Sequence, residues 1–124
     1  MNDDGSRRVL IVEDNDLVRD MCCTVLIDSG RTVVATGDSD DALRLLDEGG
    51  FEVVVTDLSL PGSLSGLALV EAMRARYPSV GIVVTTGRLD EPSAIGPVEL
   101  VMKPFGIDQL LAAVTRAEAG GAPG

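Results

Sequence analysis

Four apolar runs in this sequence each end in residues capable of chemistry. Val9-Leu-Ile-Val12 leads into Glu13-Asp14, Val53-Val-Val-Thr56 into Asp57, Gly81 to Val84 into Thr85-Thr86-Gly87, and Val98 to Met102 into Lys103-Pro104. Three carboxylates held together repel, so either one takes up a proton or a cation neutralises them. An oxygen-only cluster without His or Cys selects a hard ion such as Mg2+, which keeps several waters and takes one or two carboxylates directly. Lys103 is the sole lysine of the chain. A compact ammonium beside such a cluster suits the gripping of an oxyanion, and a threonine hydroxyl with glycine-adjacent N–H groups can hold another oxygen. Carboxylate nucleophile, Mg2+, lysine and hydroxyl together describe a site that accepts a phosphoryl group.

Each of these residues also has a plainer use. Asp14, Asn15 or Asp16 can cap a helix, Asp57 can be a turn residue, Thr86 a strand terminus and Lys103 a solvated charge. Their joint occurrence at four strand ends is what favours a site.

The positioning elements follow from the hydrophobic pattern. Val9–Val12, Thr32–Ala35, Val53–Val55, Gly81–Val84 and Val98–Met102 are short and rich in valine and isoleucine, which predicts five strands. Between them Val18, Met21, Cys22 and Val25, then Leu67, Val70, Met73 and Tyr77, recur at helical spacing, and Ile107, Leu110, Leu111 and Val114 repeat it near the end. Strands apolar throughout, alternating with helices, predict a parallel sheet covered on both faces, a doubly wound α/β domain. Its expected extent is residues 8–117, with 1–7 and 118–124 as flexible tails. In an open parallel sheet the carboxyl ends share one edge, so the chemical residues should converge there. Residues 88–97 carry two prolines and a glycine, which predicts a loop with at most a turn or two of helix as the fourth crossover.

Composition narrows the function. The 124 residues hold 10 Lys and Arg against 20 Asp and Glu, a formal charge of −10, so one acidic domain is expected, without a basic stripe for direct nucleic-acid binding. The chain has no histidine, which excludes a His-based triad, a His-ligated zinc site and a phosphohistidine of its own. Cys22 and Cys23 are adjacent, unlike a disulfide framework or a CxxC site, and read as reduced thiols. Neither a secretory h-region nor a membrane-length apolar stretch is present, so a cytoplasmic protein without membrane association is expected.

The motifs resemble the receiver domains of two-component response regulators over about residues 8–117. The marks are Val9-Leu-Ile-Val-Glu-Asp14, Val53-Val-Val-Thr-Asp57 with Pro61 and Gly66 behind it, Val83-Val-Thr-Thr-Gly87, and Lys103-Pro-Phe105. The resemblance implies a flavodoxin-like sheet of order 2-1-3-4-5. It implies that Asp57 is the phosphoacceptor. Asp14 and Asp57 would bind Mg2+ directly, with the Ser59 carbonyl as a third ligand and Glu13 acting through water. Thr86 and Lys103 would contact phosphoryl oxygens, and the Lys103-Pro104 bond is a candidate for the cis isomer. The donor would be a phosphohistidine on a histidine kinase or phosphotransfer protein. The expected protein is a single-domain response regulator that signals through an unidentified downstream protein or acts as a phosphate sink. It is not expected to be an enzyme beyond its own phosphotransfer and autodephosphorylation.

Three features depart from the family pattern. The loop from Pro61 to Gly66 is one residue longer than usual, Leu100 stands where an aromatic residue is usual, and only 17 positions separate Thr86 from Lys103. These put in question the family's output face of fourth helix, fifth strand and fifth helix, and suggest instead that phosphorylation orders or shifts residues 88–97. Leu17, Cys23 and Ile27 lie off the core stripe of the first helix and are a candidate kinase-docking face. The alternative function is a phosphorylation-independent interaction module on the same fold. An aspartate-nucleophile phosphohydrolase is disfavoured because Ser59 stands where such enzymes need a second acid. A nucleotide-binding flavodoxin-like protein is disfavoured because no Gly-rich loop follows the first strand.

Overall fold

The computed structural model describes residues 8–58, 66–87 and 98–120. Strands β1 (Arg8–Val12), β2 (Thr32–Thr36), β3 (Val53–Asp57), β4 (Gly81–Thr86) and β5 (Glu99–Met102) form one sheet. Its order is β2-β1-β3-β4-β5 and every pairing is parallel. Helices α1 (Asp16–Asp28), α2 (Ser39–Glu48), α3 (Gly66–Arg76) and α4 (Ile107–Gly120) cover it. The expected doubly wound sheet and strand order are both present. The fourth crossover, 88–97, and the longer loop before Gly66 lie outside the described residues.

Strand alternation sorts the core into two halves. Val9, Ile11, Val53, Val55 and Val83 face α1 and α4, where Cys22, Val25, Leu26, Leu110 and Val114 are buried against them. Leu10, Val12, Val54 and Val84 face α2 and α3, and meet Ala42, Leu46, Leu69, Val70 and Met73. Period-2 side chains on strands covered on both faces require this apolar-throughout pattern.

Helices α1 and α2 start where a side chain satisfies their first amides. Asn15 caps α1, its Oδ1 accepting from the Val18 N–H at 3.0 Å, which decides among the three capping candidates. Asp38 caps α2 by accepting from the Asp40 and Asp41 N–H groups at 2.7 and 3.0 Å. Among the described residues no helix is long and apolar enough to cross a membrane.

Two expectations need correction. Leu67 and Ile107, which share the helical period of their apolar stripes, are exposed, while Leu69 is fully buried. Both exposed residues sit in the first turn of their helix, at the margin of the apolar stripe. Cys23 is half-buried against the α1/α4 half of the core, so of the expected second face of α1 only Leu17 and Ile27 are exposed. Helix α4 itself continues to Gly120. Ala117 is buried, and Glu118 receives the Arg31 Nε at 2.8 Å and Nη2 at 2.9 Å, holding the last turn of α4 against the start of β2. Gly81 permits this packing: an added Cβ would stand 2.8 Å from the Ala117 carbonyl carbon, closer than side chains tolerate.

Candidate functional site

Each chemical residue stands just inside or just beyond the carboxyl end of its strand. Asp57 is the last residue of β3, in register with Thr85 of β4, and is 7% exposed. Glu13 follows β1, and its N–H donates to the Thr36 carbonyl at 2.9 Å, extending the ladder by one residue. Asp14, next along the chain, is exposed. Thr86 ends β4 and is buried. Lys103 follows β5, and its backbone N–H donates to the Thr86 carbonyl at 2.8 Å, fixing the two strand ends relative to one another. The Lys103-Pro104 peptide is cis, as the resemblance implied.

The side chains converge. One carboxylate oxygen from each of Glu13, Asp14 and Asp57 lies within 4.8 Å of the other two. Lys103 Nζ donates to Asp57 Oδ2 at 2.7 Å and to Glu13 Oε1 at 3.0 Å. The second Glu13 oxygen, Oε2, accepts from the Asn15 N–H at 3.1 Å. Both oxygens of this buried carboxylate are therefore engaged. Burial works against the charge on Lys103, but its hydrogen bonds to Asp57 and Glu13 and their charges outweigh it and hold the ammonium above its ordinary pKa. Beneath the site, burial followed by the charges of Glu13 and Cys23 pushes the Cys22 thiol up to about 12, with Lys103 opposing.

A single ammonium cannot neutralise three carboxylates, so the group offers a net negative, oxygen-only cradle. Those are the donors a hard divalent cation such as Mg2+ takes, and the residues fit that ion. Sequence reasoning thus named Glu13, Asp14, Asp57 and Lys103, which the fold brings together, and Thr86, whose backbone is tied to Lys103. Ser59 lies outside the described residues. Arg19 was missed: its Nη1 donates to the Glu13 carbonyl at 2.9 Å and its Nη2 to Asp16 Oδ1 at 2.5 Å. The i, i+3 spacing from Asp16 was a signal for the second bond.

Comparison with known proteins settles what kind of domain this is. The response regulator receiver domain family matches residues 9–115. The chain belongs to that family. This receiver domain is 32% identical over 122 residues to the response regulator protein FleR of Pseudomonas aeruginosa, covering 94% of this chain and 26% of FleR. It is 36% identical over 110 residues to the virulence transcriptional regulatory protein PhoP of Salmonella choleraesuis, covering 85% of this chain and 49% of PhoP. The crystal structure of the receiver domain of NtrX from Brucella abortus superposes with a TM-score of 0.84 at 28% identity, covering 90% of this chain and 98% of that one. The chain spans between about a quarter and a half of the length of the curated relatives it matches. Receiver domains act in two-component signalling, in which they are phosphorylated on an aspartate, bind Mg2+ at an acidic pocket and interact with histidine kinases or phosphotransfer proteins.

Proposed function

We propose that this receiver domain accepts a phosphoryl group onto Asp57 from a phosphohistidine of a partner histidine kinase or phosphotransfer protein. The reaction is Mg2+-dependent, and the phosphorylated protein signals through protein–protein interaction or serves as a phosphate sink. The observation that carries this reading is the Asp57 carboxylate at the centre of the constellation, bonded to Lys103 at 2.7 Å and grouped with Glu13 and Asp14.

Asp14 and Asp57 would hold the ion, with the Ser59 carbonyl as a third ligand. Glu13 would act through water, in keeping with both its oxygens being engaged by Lys103 and Asn15. When bound, Mg2+ supplies positive charge against the phosphoryl oxygens. A carboxylate oxygen of Asp57 attacks phosphorus, a P–O bond forms, the P–N bond to imidazole breaks, and the leaving nitrogen keeps the electron pair. Lys103 exchanges its bond to Asp57 Oδ2 for one to a phosphoryl oxygen while Glu13 continues to hold it. The Thr86 hydroxyl donates to a second phosphoryl oxygen, its strand end fixed by the Lys103 N–H bond. The chemistry is confined to the domain's own phosphorylation and dephosphorylation, in the cytoplasm and without nucleic-acid contact by this domain.

The reading is tested by transfer from a radiolabelled phosphohistidine kinase. Label should move to the wild-type chain with Mg2+ present and stay on the kinase with Asp57→Asn. Transfer to Asp57→Asn at the wild-type rate would overturn the assignment.

A further inference from the structure

We propose that Arg19 is a positioning residue for the cation site, fixing the Glu13–Asp14 backbone and thereby the aim of the Asp14 carboxylate. The inference rests on reading Glu13, Asp14 and Asp57 as the Mg2+ site. The three carboxylates are not held alike. Glu13 is gripped by Lys103 and the Asn15 amide, and Asp57 by Lys103. No hydrogen bond from another described residue reaches the Asp14 carboxylate, so the backbone that carries it sets its direction. That backbone is held from the helix side. The Arg19 side chain reaches back along α1 and donates to the Glu13 carbonyl, the acceptor of the peptide joining Glu13 to Asp14, at 2.9 Å.

Two further features make Arg19 suited to this role. Its other nitrogen is bonded to Asp16 at 2.5 Å, so its charge is largely balanced and adds little repulsion against a cation. Gly37, just beyond β2, leaves the space the arrangement needs. An added Cβ would stand 3.3 Å from Arg19 Nη1, 3.4 Å from the Asp14 Cα and 3.5 Å from the Glu13 carbonyl oxygen. The glycine therefore borders the guanidinium and the metal-loop backbone together. Partners that orient a ligand typically change metal affinity by about 10- to 100-fold when removed.

The experiment is a Mg2+ titration followed by backbone-amide NMR, with parallel thermal melts in EDTA, on wild type, Arg19→Ala, Arg19→Lys and Gly37→Ala. Mg2+ affinity should fall about tenfold in Arg19→Ala. Arg19→Lys, which keeps the charge but offers one donor nitrogen in place of the two that bond Glu13 and Asp16, should lie between the two, and Gly37→Ala should weaken binding in the same direction. A lower melting temperature in EDTA with unchanged Mg2+ affinity would mean that Arg19 serves folding alone, and would overturn this role, as would tighter binding. Wild-type binding that Arg19→Ala retains in full would overturn this role and leave the site intact. No wild-type binding at all would overturn both.

Discussion

Lys103 Nζ stands 2.7 Å from Asp57 Oδ2 and donates at the same time to Glu13 Oε1. One ammonium thus ties the end of β5 to the ends of β3 and β1 across the edge of the sheet. The contact neutralises part of a repulsive acidic group, and under the proposed function the bond to Asp57 is the one exchanged on phosphorylation.

Replacing Lys103 by Met removes the ammonium that bonds both of these buried carboxylates. We expect the metal-free protein to lose about 1–3 kcal/mol, the usual cost of stripping a hydrogen-bonded partner from a buried charged group. Mg2+ affinity should rise, because a competing cation is gone. Chemical denaturation with and without Mg2+ measures both, and a variant as stable as wild type in EDTA would contradict the geometry.

Alkaline pH should destabilise the fold. The Cys22 thiol moves from 9.0 to about 12 on folding, chiefly by burial, and Lys103 is raised by Asp57 and Glu13 against its own burial. Both groups bind their proton more tightly in the folded state. Their stabilisation is complete below the unfolded values and falls as pH rises through the folded ones. Melting temperature should decline from about pH 9 upward, and Cys22→Ala, less stable at neutral pH, should show a shallower decline. An equal slope in that variant would count against the thiol.

Glu118→Gln breaks a nearly buried pair with Arg31, whose side chains are 6% and 12% exposed. Leaving the guanidinium with a weakened partner should cost about 3 kcal/mol. Hydrogen exchange should accelerate at the last turn of α4 ahead of the sheet. Uniform acceleration would show that the pair does not hold that turn in particular.

Gly81→Ala tests the closest approach of strand to helix. The new methyl would collide with the backbone of Ala117, so α4 must shift, and overpacking of this kind typically costs about 1–3 kcal/mol. Denaturant midpoints compare the variant with wild type, and an unchanged midpoint would mean that α4 yields freely there.

The strands were legible because their residues are apolar on both faces, and the residues that end them form the candidate site. Their convergence followed from parallel pairing alone, which puts every carboxyl end on one edge. Helix margins were less legible. The spacing of Leu67 and Ile107 matches the core stripe, but spacing alone does not say how far along a helix burial extends. The end of α4 was hidden because Glu118 reads as a solvated charge until Arg31, distant in sequence, is placed beside it. Arg19 was hidden for another reason: its key acceptor is a backbone carbonyl, which no residue type announces. The cis bond before Pro104 was legible through the family pattern, not through composition.

Intact-mass measurement after incubation with acetyl phosphate tests whether Asp57 is the phosphoacceptor of a Mg2+-dependent receiver. Wild type with Mg2+ should gain one phosphoryl group, while Asp57→Asn and a metal-free control should gain none. An undiminished adduct on Asp57→Asn, or no adduct on wild type from acetyl phosphate or from a panel of phosphorylated kinases, would contradict it.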